Sequence, residues 1–482
     1  MTEDRDARPT ALIWLRRDLR LVDNPALSRA LERGMRPLLV YIDDAAGSGH
    51  WQEGAASRAW LRRSLAALDS DARALGGQLV LRRGDSLENL LDIVDAVDAA
   101  AVFWNRRYEP AHRQSDARVK QALRDRGLEA ESCAGALLFE PWSLQTQAGA
   151  PYRVFTPYWR KAGELLDELA PPLSAPETLP RFADVQGHSI DAFLEAPKPA
   201  WDHGFWDVHQ PGERGAWQRF AGFLECIDAY QDQRDRPDRA QTSRLSPHLA
   251  FGEITPRQIL FALRRQETLA RSKGTLGFIR ELGWREFSYH LLFHFPDSTD
   301  ADLTGAMFGF PWSDVDTDLL EDWKRGRTGV PMVDAGMREL WATGSMHNRV
   351  RMVAASFLTK NLRYYWHHGA RWFWDTLVDA DLANNTQGWQ WSAGTGADAA
   401  PYFRIFNPVS QGKRFDPDGA YVRRWIPELT RFDAKTIHEP WTRPQLIEGD
   451  YPRAPIVDLG KTRQAALDAW QQGKEVRSML RD

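Results

Sequence analysis

The strongest constraint on the fold is a change of rhythm along the chain. Over the first ~135 residues short apolar runs alternate with amphipathic stretches, and beyond ~212 the apolar positions recur almost everywhere with a period near 3.6 residues. The runs Ala11–Leu15, Pro37–Ile42, Gln78–Leu81, Ala100–Trp104 and Leu128–Ser132 predict strands, and Arg58–Leu75, Ser86–Val97 and His112–Arg126 predict helices. Strands separated by helices need right-handed crossovers, so residues 1–135 are expected to form an α/β domain around a parallel sheet. The turn after the first strand reads Trp14-Leu15-Arg16-Arg17-Asp18-Leu19-Arg20. It lacks the G-x-G-x-x-G pattern that brings a dinucleotide onto a helix start, so the domain is Rossmann-like without that fingerprint.

Residues 136–211 are expected to be a long connector, where periodicity gives way to Pro, Gly and scattered aromatics such as Ala170-Pro171-Pro172 and Pro197-Lys198-Pro199. Residues 212–482 predict an all-α domain, with helices at Glu213–Ala229, Pro256–Arg264, Thr275–Phe295, Met332–Thr343, Met346–His368, Arg371–Ala383 and a last short one near Thr462–Gln472. Thr255-Pro256 and Ser246-Pro247 read as hydroxyl caps followed by proline in the first turn.

The balance of 62 Lys+Arg against 66 Asp+Glu, net -4, excludes a globally basic nucleic-acid coat but leaves room for a local basic groove. With 43% hydrophobic and 27% charged residues, wholesale disorder is excluded too. No apolar run approaches the ~18 residues of a membrane span, and the polar start predicts no secretory leader, so a cytoplasmic chain is expected. Two cysteines, Cys133 and Cys226, cannot build a disulfide framework. The abnormal number is 21 Trp against 11 Tyr, since a buried indole N–H needs a partner and ordinary cores prefer aliphatic side chains.

Three constellations carry chemistry. Thr242-Ser243-Arg244-Leu245-Ser246-Pro247, preceded by Tyr230 and Arg234, sets hydroxyls and a guanidinium before a helix start, which suits an anion. On Thr275–Phe295 the positions Phe278, Glu281, Trp284 and Arg285 share one stripe, and Asn348, Arg351 and Met352 share another beside Arg349. Asp379, Asp381 and Asn385 gather carboxylates and an amide with few cations adjacent in sequence, so Arg351 is the expected partner. The cluster lacks the His or dense carboxylate set of a divalent-metal site, and no metal is expected.

Asn385 to Pro408, with Trp389-Gln390-Trp391, Gly394-Thr395-Gly396 and Asp398-Ala399-Ala400-Pro401-Tyr402-Phe403-Arg404-Ile405-Phe406-Asn407-Pro408, closely resembles the signature of the photolyase/cryptochrome family. Leu12–Asn24, Thr242–Pro247, Trp284-Arg285-Glu286-Phe287 and Met346–Met352 resemble further family blocks in the same order. The resemblance covers nearly the whole chain and is greatest to class I cyclobutane pyrimidine dimer photolyases. It implies non-covalent FAD in the helical domain, a second antenna chromophore at the α/β domain, and light-driven splitting of pyrimidine dimers in UV-damaged DNA by a monomer that is nucleoid-associated when on DNA. It implies FAD contacts at Tyr230, Thr242, Ser243, Arg244, Leu245, Ser246, Arg285, Arg351, Asp379, Asp381 and Asn385. It places Glu281, Trp284, Asn348 and Met352 at the lesion, and Trp389, Trp366 and Trp312 in an electron-hopping chain.

A carboxyl such as Glu281 in an aromatic pocket is expected to stay protonated more readily and to donate a hydrogen bond. Arg234, Arg349, Arg404, Lys413 and Arg414 are candidate contacts to the DNA backbone. His50, Asn105 and Glu109 sit near positions that hold folate (MTHF) in relatives, with a deazaflavin or an empty antenna pocket as alternatives. The chain departs from a well-known relative at Phe278 and Ser345, where that enzyme has tryptophan. A cryptochrome-type light sensor and a six-four photoproduct photolyase are the rival readings; Asn385 favours repair over the plant-type and animal-type sensors, and Asn348 with Met352 favours the dimer pocket.

Overall fold

The computed structural model describes residues 8–182, 185–193, 200–266, 268–269, 271–398 and 403–480. Ala399, Ala400, Pro401 and Tyr402 of the signature stretch, and Pro197-Lys198-Pro199 of the connector, lie outside the described residues.

Strands β1 (Thr10–Leu15), β2 (Arg36–Asp43), β3 (Leu79–Arg83), β4 (Ala99–Asn105) and β5 (Glu129–Cys133) form one parallel sheet in the order β3-β2-β1-β4-β5. Every residue of β1 is buried, as a strand covered on both faces requires. The order reverses at β1, and such a reversal opens a crevice beyond the strands' carboxyl ends. The loop leaving β1 fills much of that region with its own charges. Asp18 accepts from Arg16 N (2.6 Å) and Asn105 Nδ2 (2.7 Å). The buried Arg20 donates to the carbonyls of Asp23, Gly252 and Gly135, the last at 2.6 Å, and so ties the loop to the helical half. Asp23 meanwhile accepts from Thr255 Oγ1 at 2.7 Å and pairs with Arg257. The arginines and aspartates after β1 therefore join the two halves, with carbonyl and carboxylate partners that offset the desolvation of each buried charge.

The helical half holds the larger apolar cluster, where Trp323, Trp366, Trp374 and Trp389 pack with Val350, Phe357, Phe373 and Tyr421. Two expected elements differ. The run Met346–His368 is not one helix: Asn348–Ser356 continues as a wide turn at Phe357–Asn361, breaks at Arg363 (φ 56°), and restarts as Trp366–Thr376. The segment after Ala380 forms a further helix, Leu382–Ala393, capped by Asp381. The last helix is longer than expected, Leu459–Met479, and the connector region contains a helix at Phe155–Leu165.

Candidate functional site

Three helices converge on one polar floor. From Asn348–Ser356, Arg351 reaches the Asp379 carboxylate with Nη2 at 3.0 and 2.9 Å and fixes its Nε on the carbonyl of Met346 at 2.8 Å. The Asp379 side chain is almost wholly buried while Arg351 stays partly open, so the guanidinium is the accessible member of the charge pair. Two residues on, Asp381 caps Leu382–Ala393 through Asn384 N (2.9 Å) and also receives the hydroxyl of Tyr289. One turn further, Asn385 gives Nδ2 to the carbonyl of Ala370 at 3.0 Å, leaving a second N–H and the amide oxygen for another partner. The expected Arg351–Asp379 pairing is present, while Asp381 and Asn385 turn to separate partners on the cap and first turn of Leu382–Ala393.

From Lys273–His294, Arg285 donates to the carbonyl of Ala136 at 3.0 Å and lies with its guanidinium 4.9 Å from the ring of Tyr289. Tyr289 was not expected at the site. It continues the Glu281, Arg285 spacing by four residues, and that extension of the stripe is the signal that marks it. Burial and the adjacent Asp381 carboxylate push its phenol well above the usual range, so it remains the donor.

Arg244 of the loop Thr242–Ser246 and Arg351 both act electrostatically on the buried Glu339 carboxyl. Ser243 Oγ accepts from Leu245 N at 3.3 Å, and the residue in the left-handed region is Arg244 (φ 50°). The expected hydroxyl cap is absent. Leu245 occupies the cap position, and Ser246–Ala250 is a helix of five residues with little dipole to offer. Tyr230 is buried against Phe223 (5.5 Å) and Phe278 (5.6 Å), so Phe278 belongs to a core contact rather than to an open rim. Ser345 meets His209 Nε2 at 3.0 Å and so holds the connector.

Of the residues expected at the lesion, Asn348 is exposed and Met352 half-buried on their helix. Trp284 stacks on Phe155 with ring centroids 3.7 Å apart and planes at 10°, which covers one of its faces. Glu281 is not isolated among aromatic rings: it forms an ion pair with Arg234, and the expected surroundings for a neutral carboxyl are replaced by a cation. The same pair occupies Arg234. Arg349 is held by Asp235 at 2.8 Å and Lys413 by Glu439. Arg404 and Arg414 lie near aromatic rings, 5.6 Å from Trp391 and 5.0 Å from Phe415.

A cavity of about 490 Å³ opens beside the far end of Leu382–Ala393, lined among others by Trp391, Phe403, Arg404, Phe406, Asp398 and Lys360. Trp391, part of the Trp389-Gln390-Trp391 stretch, is two residues from Trp389 and therefore points away from the core that Trp389 enters. Burial pushes the Lys360 amine down to about 7. Trp389, Trp366 and Trp312 are all in or against the helical core. Trp389 packs on Phe373 (5.0 Å) and against the Trp366–Thr376 helix at Gly369.

The antenna candidates do not converge. Asn105 is spent on Asp18 and Asn24, Glu109 on Arg107, and His50 contacts Asp300 at 2.7 Å on the surface. Burial raises the Glu109 carboxyl, but Arg107 and His112 more than offset it, so the group stays ionised. A separate cavity of about 300 Å³ lies at the carboxyl ends of β1 and β2, lined by Trp14, Arg16, Tyr41, Glu53, Arg58 and Arg107 among others.

The parallel α/β unit is thus joined to helices that carry an Arg–Asp pair, a helix-capping aspartate and an amide with open hydrogen-bonding capacity. Residues 278–472 match the model of the FAD binding domain of DNA photolyase, and residues 11–177 match that of DNA photolyase. A deoxyribodipyrimidine photo-lyase of Agrobacterium fabrum is 45% identical over 96% of this chain and 98% of its own. Cryptochrome-1 of Arabidopsis thaliana is 36% identical over 96% of this chain and 70% of its own. A bacterial class III photolyase of Agrobacterium tumefaciens has a solved structure with TM-score 0.92 and 44% identity, covering 97% of this chain and 98% of that one. The chain belongs to the DNA photolyase family, and this structural neighbour is of class III where the motifs alone suggested class I. No helix among the described residues is long and apolar enough to cross a membrane.

Proposed function

We propose that this protein is a light-driven repair lyase for cyclobutane pyrimidine dimers in UV-damaged DNA. Its units would be an α/β antenna domain (1–135), a connector (136–211) and a helical catalytic domain (212–482). The observation that carries the reading is the Arg351–Asp379 pair lying beside Asp381 and Asn385, a cation, two fixed carboxylates and one amide with open hydrogen-bonding capacity. This donor set suits the polar edge of an isoalloxazine ring, and the Thr242–Ser246 loop with Tyr230 suits the ribityl and phosphate groups. FAD, when bound and reduced, supplies the light-excited electron that splits the dimer and takes it back.

The chain's own residues bind, orient and shield. Asp379 keeps Arg351 in place, so its charge is available without reorganisation when negative charge develops nearby. Tyr289 and the helix start hold Asp381 in one rotamer, and Asn385 presents its amide at the next turn. Trp284, backed by Phe155, offers its remaining face to the flipped-out dimer, and a dimer that already stacks badly costs less to extrude than normal bases. Glu281 and Arg234 act as a unit, in which the carboxylate accepts from the lesion or the guanidinium donates to it. The 300 Å³ cavity at the sheet ends is the best place for an antenna ring, since it has aromatic walls and cationic and anionic groups.

The experiment is direct. Purified holoprotein is reduced, illuminated with dimer-containing oligothymidine, and the return of thymine absorbance is followed without added nucleotide or metal. Light-dependent recovery supports the repair reading. Flavin photochemistry without recovery would instead favour a cryptochrome-type sensor.

A further inference from the structure

The ring contacts around the outer tryptophans contain a side chain that no pattern in the sequence marked. Among the described residues no ring contact joins Trp366 to Trp312 directly. Tyr365 touches both, with centroids 5.8 Å from Trp366 and 5.5 Å from Trp312. Its hydroxyl donates to Asp302 Oδ1 at 2.8 Å, and the indole Nε1 of Trp366 donates to the same oxygen at 3.0 Å. One carboxylate oxygen therefore serves two adjacent oxidisable rings. His367, 4.9 Å from Tyr365 and 4.0 Å from Trp366, closes the group, and Asp300 with His50 lies just beyond it.

A phenol differs from an indole in one respect that matters here. Its radical cation is so strong an acid that tyrosine gives up an electron at accessible potential only if the proton leaves too, which requires a base within hydrogen-bond reach. Asp302 meets that requirement at 2.8 Å. Burial, and after it the Asp302 contact, raises the Tyr365 phenol above its ordinary range, so the ring is protonated at rest.

We propose that Tyr365, seated between Trp366 and Trp312, is the redox-active donor to Trp366, with Asp302 as its proton acceptor. The inference rests on the reading of Trp389, Trp366 and Trp312 as an electron path to photoexcited oxidised flavin, which is the oxidant. Once an electron has left Trp366, one electron passes from Tyr365 to the Trp366 radical cation and restores the neutral indole. The phenolic O–H bond breaks, an O–H bond forms on Asp302 Oδ1, and a neutral tyrosyl radical remains. A thiol reductant in solution later returns one electron, and the proton goes back from Asp302. The site thus converts a short-lived charged hole into a neutral radical, which has no charge to draw the electron back from the flavin.

The test is transient absorption and electron paramagnetic resonance of illuminated holoprotein carrying oxidised FAD, with ring-deuterated tyrosine to assign the radical. The expected result is a neutral tyrosyl signal that forms more slowly in D2O. Tyr365→Phe, which keeps the ring and its packing, should lose that signal and leave a tryptophan radical that recombines sooner with the flavin. Asp302→Asn should slow or abolish tyrosyl formation while Trp366 is still oxidised. A tryptophan radical alone in the parent protein overturns the proposal and leaves the tryptophan path standing. No protein radical at all, or an undiminished tyrosyl signal in Trp366→Phe, overturns the path reading and this proposal with it.

Discussion

Gly369→Ala is the substitution for which helix propensity and tertiary packing predict opposite signs. Gly369 is buried inside the Trp366–Thr376 helix, and in a solvent-facing helix interior this change stabilises by about 1 kcal/mol. Here a Cβ would stand 2.0 Å from Trp389 Cη2 and 2.5 Å from Cζ2 and Cζ3, well inside the 3.0 Å that real contacts respect. The indole cannot easily retreat, because Phe373 (5.0 Å) and Trp323 (6.2 Å) pack against it. Overpacking of this kind costs about 1–3 kcal/mol, more where the obstacle is a rigid ring, so the net effect is a loss of about 1–2 kcal/mol. Gly388→Ala is the matched control: it lies in the exposed interior of Leu382–Ala393, and a Cβ there meets nothing within 4 Å. It should gain up to about 1 kcal/mol. The assay is guanidinium unfolding by far-ultraviolet circular dichroism, with the midpoints compared at constant m. A Gly369→Ala midpoint at or above the parent's, with the control behaving as expected, refutes the claim that Trp389 is pinned against this helix.

Two further outcomes follow from the charges. Asp379→Asn should leave Arg351 without its buried carboxylate and release FAD on gel filtration, while the Asp381–Tyr289 contact keeps the fold; undiminished flavin content would refute the pairing as the floor of the site. Glu286 and His290 should show opposite pH behaviour. Burial, only partly opposed by Arg285, pushes Glu286 from 4.5 up to about 7, so its contribution to stability is full below pH 4.5 and lost as pH rises through 7. Burial lowers His290 from 6.5 to about 4, so its contribution is full above pH 6.5 and lost as pH falls through 4. Relative to the parent, Glu286→Gln should therefore gain on going from pH 4.5 to 7 and His290→Gln on going from 6.5 to 4, read as differences in unfolding free energy. Parallel pH curves for parent and variant would contradict either assignment.

Much of this architecture was legible because local signals and tertiary demands agree. Strands β1 to β4 are built on short apolar runs between turns, while β5 is mixed, burying Ala130 and Cys133 beside Glu129, Glu131 and Ser132; Ser86–Val97 and Pro256–Arg264 start and stop where their caps say. The first crossover helix, Pro25–Glu32, carries a weak sequence signal although Asn24 caps it and Pro25 follows, because only Ala26, Leu27 and Ala30 of its eight residues are buried, too few to set a period. The break at Arg363 has no Gly or Pro to announce it. It comes from packing, where Tyr364 takes the amide of Asp316 (3.0 Å) at its hydroxyl and Ser313 N reaches the carbonyl of Arg363. Arg351–Asp379 could be anticipated from a carboxylate cluster short of cations. Arg349–Asp235, 114 residues apart, could not, since nothing in either local stretch names the other.

That last pairing changes what DNA binding should look like. Each phosphate neutralised on duplex DNA releases counterions and adds about 0.9 to the slope of log affinity against log salt, so five freshly engaged cations would give about 4.5. Arg234, Arg349 and Lys413 already face Glu281, Asp235 and Glu439. A cation that keeps its carboxylate while meeting a phosphate brings no net charge, and one that lets go leaves the carboxylate beside the backbone. Either way the slope for damaged duplex should fall clearly below 4.5, while close, partly desolvated contacts still position the lesion. Asp235→Asn frees Arg349 without touching the Arg351–Asp379 pair, so it should tighten binding at low salt and steepen the slope by up to about 0.9. A parent slope already near 4.5, or one that Asp235→Asn leaves unchanged, would mean that these ion pairs dissolve on contact with DNA and that the cationic rim acts as though its acidic neighbours were absent.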